Sequence, residues 1–127
     1  MIVGYGIDIM GVERIRNAIN RHPKRFLDKI YSPAELITVN DMDGSRREEV
    51  LTTYWAVKEA TMKALGTGHR QGVRFIDIEV CHEKSGKPYI NLYGKSKEIA
   101  DKLGVKNIHV SMSHLEGIVA AAVIFED

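Results

Sequence analysis

Few side chains in this sequence have the types and spacing to do chemistry, and Asp8, Glu59 and Lys63 come first among them. Glu59 and Lys63 stand four residues apart in Trp55-Ala56-Val57-Lys58-Glu59-Ala60-Thr61-Met62-Lys63. On a helix they share one line of surface with Thr52 and Ala56, and those two small residues leave space above a carboxylate and an ammonium. Taken alone, a glutamate–lysine pair at this spacing is usually a solvated surface pair. Asp8 supplies a second, separate carboxylate. No cluster of histidines or cysteines accompanies the two acids, which makes a poor transition-metal site. The set suits Mg²⁺, which takes one or two carboxylates, keeps waters and accepts phosphate oxygens from a substrate. A lysine beside such an ion is a point charge for the same phosphates. The G-x-x-x-x-G-K-[ST] loop is absent, which excludes a P-loop nucleotide hydrolase. The residues therefore point to Mg²⁺-assisted chemistry on a diphosphate.

Other candidates carry two readings each. Asp8 at the end of a strand also suits the cap of a following helix. Gly66 and Gly68 either turn backbone N–H groups toward phosphate or form a plain helix end. A lone His114 at a strand end is ordinarily a hydrogen-bonded structural residue. Gly4-Tyr5-Gly6 lacks the third glycine of a dinucleotide fingerprint, since Ile9 stands in its place. Arg14, Arg21 and Arg25 fall on one helical face, with Arg16, Lys24 and Lys29 nearby. That face is either solvated or a docking strip for an acidic macromolecule, with Phe26, Leu27 and Ile30 as apolar anchors.

These residues need elements to position them. Ile2 to Ile9 reads as a strand with Val3, Tyr5, Ile7 and Ile9 on one face and Gly4, Gly6 and Asp8 on the other. Glycines beside a carboxylate leave the backbone open to close approach by a ligand. Gly11 to Arg21 reads as a helix with Val12, Ile15 and Ile19 inward, and Pro23 either kinks it or starts another. Ser32-Pro33-Ala34-Glu35 has the cap, N1 proline and N3 glutamate of a further helix start. The longest helix is expected from Ser45, with Glu48 completing a capping box, to a stop at Gly66. Leu51, Trp55, Met62 and Leu65 form its buried stripe. Phe75 to Cys81, with Asp77 and Glu79 outward, and Pro88 to Tyr93 read as a hairpin. Lys95 to Leu103 reads as an amphipathic helix closed by Gly104. Two strands follow, Ile108 to His114 and Ile118 to Phe125, the last apolar on both faces and so central or at a subunit contact. The expected fold class is α+β, a mostly antiparallel sheet packed on a long central helix.

Composition sets the frame. The 127 residues suit one domain, 1–127, with a real core. A formal net charge of +1 gives none of the global basic field that nucleic-acid binders carry. One cysteine, Cys81, cannot pair internally and fits a reducing cytoplasm. The apolar run Ile118 to Phe125 is too short to cross a bilayer, and the start lacks a signal peptide's basic region, so no membrane role is expected.

In order along the chain, Gly6-Ile7-Asp8-Ile9, Trp55-Ala56-Val57-Lys58-Glu59-Ala60, Lys63-Ala64-Leu65-Gly66-Thr67-Gly68, Asp77-Ile78-Glu79-Val80, Gly86-Lys87-Pro88 and Val110-Ser111-Met112-Ser113-His114 resemble the small bacterial 4′-phosphopantetheinyl transferases, the holo-acyl-carrier-protein synthase family. The resemblance spans nearly the whole chain. It implies transfer of phosphopantetheine from coenzyme A to a serine of apo-acyl carrier protein, with release of adenosine 3′,5′-bisphosphate, in support of fatty acid biosynthesis. It implies Asp8 and Glu59 as Mg²⁺ ligands and Lys63 near the pyrophosphate. It also implies Gly66, Gly68 and His114 near the nucleotide, and Arg14 and Arg21 at the carrier protein. A homotrimer with sites between subunits is implied as well. Two positions depart from the family pattern: Tyr54 stands where an arginine is common, and Leu115 where a hydroxyl residue or aspartate follows the histidine. Tyr54 motivates the alternative of a coenzyme A- or nucleotide-binding module without turnover.

Overall fold

A computed structural model describes residues 1–127. Its elements run β1 (Ile2–Gly11), α1 (Val12–Arg21), α2 (Pro23–Ile30), α3 (Pro33–Val39), α4 (Gly44–Leu65), a 3₁₀ turn (Phe75–Asp77), β2 (Ile78–His82), β3 (Pro88–Leu92), α5 (Gly94–Lys102), β4 (Asn107–Leu115) and β5 (Ile118–Glu126). β1, β5 and β4 form an antiparallel sheet in that order, and β2 and β3 a separate antiparallel hairpin. The α+β class holds, with two sheets where one was expected. β5 is central because it is paired on both edges.

α4 is 22 residues long, about 33 Å. Leu51, Tyr54, Ala56, Val57, Ala60, Met62, Ala64 and Leu65 are all buried, so apolar contact surrounds most of the helix. Its start differs from the expected Ser45–Glu48 capping box. Asp43 is the cap and accepts the Arg46 N–H at 2.9 Å, while Glu48 turns aside to pair with Arg16. Aspartate is among the strongest caps, and placing it two residues earlier gains half a turn of helix. The stop is as expected, at Gly66 with φ +79°. Pro23 opens α2, and Ser32 with Glu35 makes the full capping box of α3.

The glycines of β1 serve a different purpose from the one expected. A Cβ on Gly6 would lie 2.0 Å from the Ala60 carbonyl oxygen, and one on Gly4 2.4 Å from that of Ala64. The space beside the strand is filled by the backbone of α4, not by a ligand. Glycine on the strand and alanine on the helix bring the two elements closer than larger side chains allow. The opposite face of the sheet is bare: Tyr5 is 75% exposed, Ile7 59%, Ile9 66% and Leu115 77%.

A buried ion pair ties the other side of α4. Lys58 Nζ donates to Glu35 Oε1 at 2.8 Å, to the Phe75 carbonyl at 3.1 Å and to the Ile78 carbonyl. Glu35 accepts in turn from the Ser32 and Val80 N–H groups. Burial pulls the Lys58 ammonium below the usual lysine range, and Glu35 pushes back against that pull. The expected strand from Phe75 begins only at Ile78. Asp77 points inward, accepting two hydrogen bonds from Arg74. Period-two alternation could not distinguish a single 3₁₀ turn from the first residues of a strand.

Candidate active site

The close packing of β1 on α4 sets the site. Gly4 lies over Ala64 and Gly6 over Ala60, so the strand runs against the helix direction, which carries Asp8 past Ala60 toward the Ala56 turn, and the long Lys63 side chain reaches back along the helix to it. Lys63 Nζ donates to Asp8 Oδ1 at 3.2 Å and to the Ile7 carbonyl at 2.8 Å. Glu59 stands one helical turn before Lys63 on the same line. The Asp8 side chain is 13% exposed and that of Glu59 17%, whereas Lys63 is half in solvent. The solvated Glu59–Lys63 pair that the spacing also permits is not made. Lys63 instead turns to the strand, and Glu59 Oε1 lies 3.0 Å from His69 Nε2.

Asp8 Oδ2 is buried and has no hydrogen-bond partner. Burying a carboxylate oxygen without a partner is costly, and a hard cation is one group that removes the cost. Asp8 and Glu59 therefore fit Mg²⁺ in donor chemistry. No group of three His, Cys, Asp or Glu side chains gathers to hold a metal.

The other expected residues divide. The N–H groups of Gly66, Thr67 and Gly68 all bond to the last carbonyls of α4, those of Lys63 and Met62. They form the helix end and are not free for phosphate, but both glycines leave open surface, since an added Cβ would meet nothing within 4 Å. His114 is not brought to them within this chain. Its Nδ1 lies 3.5 Å from Glu49 Oε2, near the start of α4, and Glu49 precedes Glu59 by about 15 Å of helix and Gly66 by about 25 Å. Arg14, Arg21 and Arg25 are exposed. Arg21 and Arg25 meet across the α1–α2 junction, where with Ala18, His22, Phe26 and Lys29 they line a groove of about 280 Å³, and Arg14 stands outside that lining.

Tyr54 is 2% exposed, and burial pushes its phenol up to about 12. Its side chain belongs to the core of this chain, and Leu115 belongs to the bare sheet face. His69 was not singled out by any sequence pattern. It lies ten residues beyond Glu59, and only the reversal of the chain after Gly66 returns it to that carboxylate. With Asp28, Lys29, Arg74, Phe75 and Ile76 it also lines a cavity of about 400 Å³, whose lining includes neither Asp8 nor Glu59.

Comparison with known proteins places this geometry in context. A family model described as the 4′-phosphopantetheinyl transferase superfamily matches residues 4–123. A curated relative from Solibacter usitatus, named holo-[acyl-carrier-protein] synthase, is 42% identical over the full length of both chains. A solved holo-[acyl-carrier-protein] synthase from Neisseria meningitidis is 34% identical, with a TM-score of 0.88 over all of both chains. One from Bacillus anthracis, described as a complex with CoA (3′,5′-ADP), is 33% identical, with a TM-score of 0.82 over 98% of this chain and 96% of that one.

Proposed function

Because this chain belongs to the 4′-phosphopantetheinyl transferase superfamily, we propose that it moves the 4′-phosphopantetheine arm of coenzyme A onto a serine of an apo-acyl carrier protein. The observation that carries the reading is Asp8: a half-buried carboxylate with one oxygen on Lys63 and the other, Oδ2, buried without a partner, beside the helix that bears Glu59. Asp8 and Glu59 would hold Mg²⁺, which when bound supplies positive charge to a pyrophosphate. Lys63, half exposed on the same turn, neutralises charge that builds on the phosphate oxygens as the reaction proceeds. In the transfer a bond forms from the serine oxygen to the phosphorus of the phosphopantetheine arm. The bond from that phosphorus to the bridging oxygen breaks, and adenosine 3′,5′-bisphosphate departs. The serine proton must also leave, and Glu59 is the acceptor that this chain itself offers.

The carrier protein is read as docking on the basic strip. Arg21 and Arg25 frame a groove with Phe26 at its side, and Arg14 extends the positive surface along α1. Long-range attraction to an acidic partner suits such a strip. The bare apolar face of the sheet is read as the contact that closes a homotrimer, which would bring His114 of one copy toward the Lys63 and Gly66–Gly68 end of another. Support of fatty acid biosynthesis in the cytoplasm follows from the same reading.

The test is direct. Incubation with coenzyme A, Mg²⁺ and an apo-acyl carrier protein is expected to raise the carrier's mass by one phosphopantetheine, and chelation of the metal to stop it. A module that binds coenzyme A without turnover would leave the mass unchanged, and that result would defeat the proposal.

A further inference from the structure

We propose that His69 is a positioning residue for Glu59, held against that carboxylate by an aromatic stack that reaches back to α2. The proposal rests on the reading of Asp8 and Glu59 as the metal pair. Each acid has one basic neighbour: Lys63 donates to one oxygen of Asp8 at 3.2 Å, and His69 Nε2 stands at ion-pair distance, 3.0 Å, from one oxygen of Glu59. A glutamate has three side-chain torsions, and a contact that fixes one oxygen removes part of the ordering cost of ion binding.

His69 is itself backed by neighbours. Its ring lies 5.0 Å from that of Phe75, centroid to centroid, tilted by 43°. Phe75 stacks on Trp55 at 4.5 Å and 24°, and Trp55 stacks on Phe26 at 5.9 Å and 15°. The Trp55 indole Nε1 is buried and donates to nothing, so the indole contributes by its faces and not by its polar edge. The Phe75 carbonyl is held at 3.1 Å by Lys58, the residue next to Glu59, so the stack and the carboxylate hang from the same turn of α4. His69 remains 57% exposed. An exposed contact of this kind adds little to folding stability, so its consequence lies in the disposition of Glu59 and in ion affinity.

The experiment uses the full chain and Mn²⁺ as the probe, with free Mn²⁺ counted by its EPR signal at one fixed pH. H69A is expected to weaken Mn²⁺ binding by about 10- to 100-fold with its Tm unchanged. H69Q, which keeps a nitrogen donor, is expected to recover most of that loss. E59Q serves as the control on the underlying reading. If E59Q loses Mn²⁺ while H69A binds within twofold of the parent, the positioning role is overturned and the metal pair stands. If E59Q binds as the parent does, the metal pair falls and the role of His69 falls with it. A loss shared equally by H69A and H69Q and matched by a drop in Tm would mark a general structural effect, and would also overturn the proposal.

Discussion

At the scale of single residues, Asp8 is kept at a cost, beside Glu59. An unpartnered carboxylate oxygen inside the protein works against folding, and functional sites are where such costs persist. Asp8→Ala and Glu59→Ala are therefore expected to lower phosphopantetheine transfer by at least about 100-fold. Stability in urea should stay within about 1 kcal/mol of the parent, because neither residue holds the core together. Transfer by Glu59→Ala at a near-parent rate in ordinary Mg²⁺ would contradict the mechanism. The motif residues were legible in the sequence because their chemistry is local to one helix line and one strand. The partners of those residues were not. A four-residue spacing permits a Glu59–Lys63 pair, but the competing partners, Asp8 and His69, come from elsewhere in the chain.

At the scale of elements, α4 is fixed by two unlike devices. Toward the sheet it is fixed by absence of side chains, with Gly4 and Gly6 of β1 against the Ala60 and Ala64 backbone. Toward α3 and β2 it is fixed by the Lys58–Glu35 pair, both side chains fully buried. Lys58→Met is expected to cost about 3–5 kcal/mol in urea unfolding, because Glu35 then remains as an uncompensated buried charge. Replacing both partners with apolar residues of similar volume should recover much of that loss. A single-variant loss below about 1 kcal/mol would mean the pair does not anchor the helix. The Gly66 stop of α4 and the α3 capping box were readable from the sequence, but this pair was not. Glu35 also satisfies the capping box of α3, and that local role accounts for it without calling for a buried lysine 23 residues away.

At the scale of the whole molecule, one copy leaves the expected nucleotide-binding set divided. Lys63, Gly66 and Gly68 lie at the C-terminal end of α4, and His114 lies beside Glu49 near the other end. The sheet meanwhile presents Tyr5, Ile7, Ile9 and Leu115 to solvent, an apolar face that a second copy would cover. If sites are shared across that face, Asp8→Ala and His114→Ala chains, each impaired alone, should regain part of the parent activity when refolded together. Mixed assemblies then contain sites built from two intact halves. Mixtures no more active than either parent variant would show that each copy works by itself.

The order of elements, the α+β class and the long central helix were determined by the sequence alone, because periodicity and caps act over a few positions; the residue chemistry of the same stretches is what proposes the acid–acid–lysine set. The tertiary structure decided what those residues face. It gave the β1 glycines to the helix backbone instead of a ligand, turned Lys63 from Glu59 to Asp8, brought His69 to Glu59, and spent the N–H groups of the Gly66–Gly68 turn on a helix end. Each of these outcomes is a competition between partners distant in the chain, and spacing along the chain carries no term for that competition.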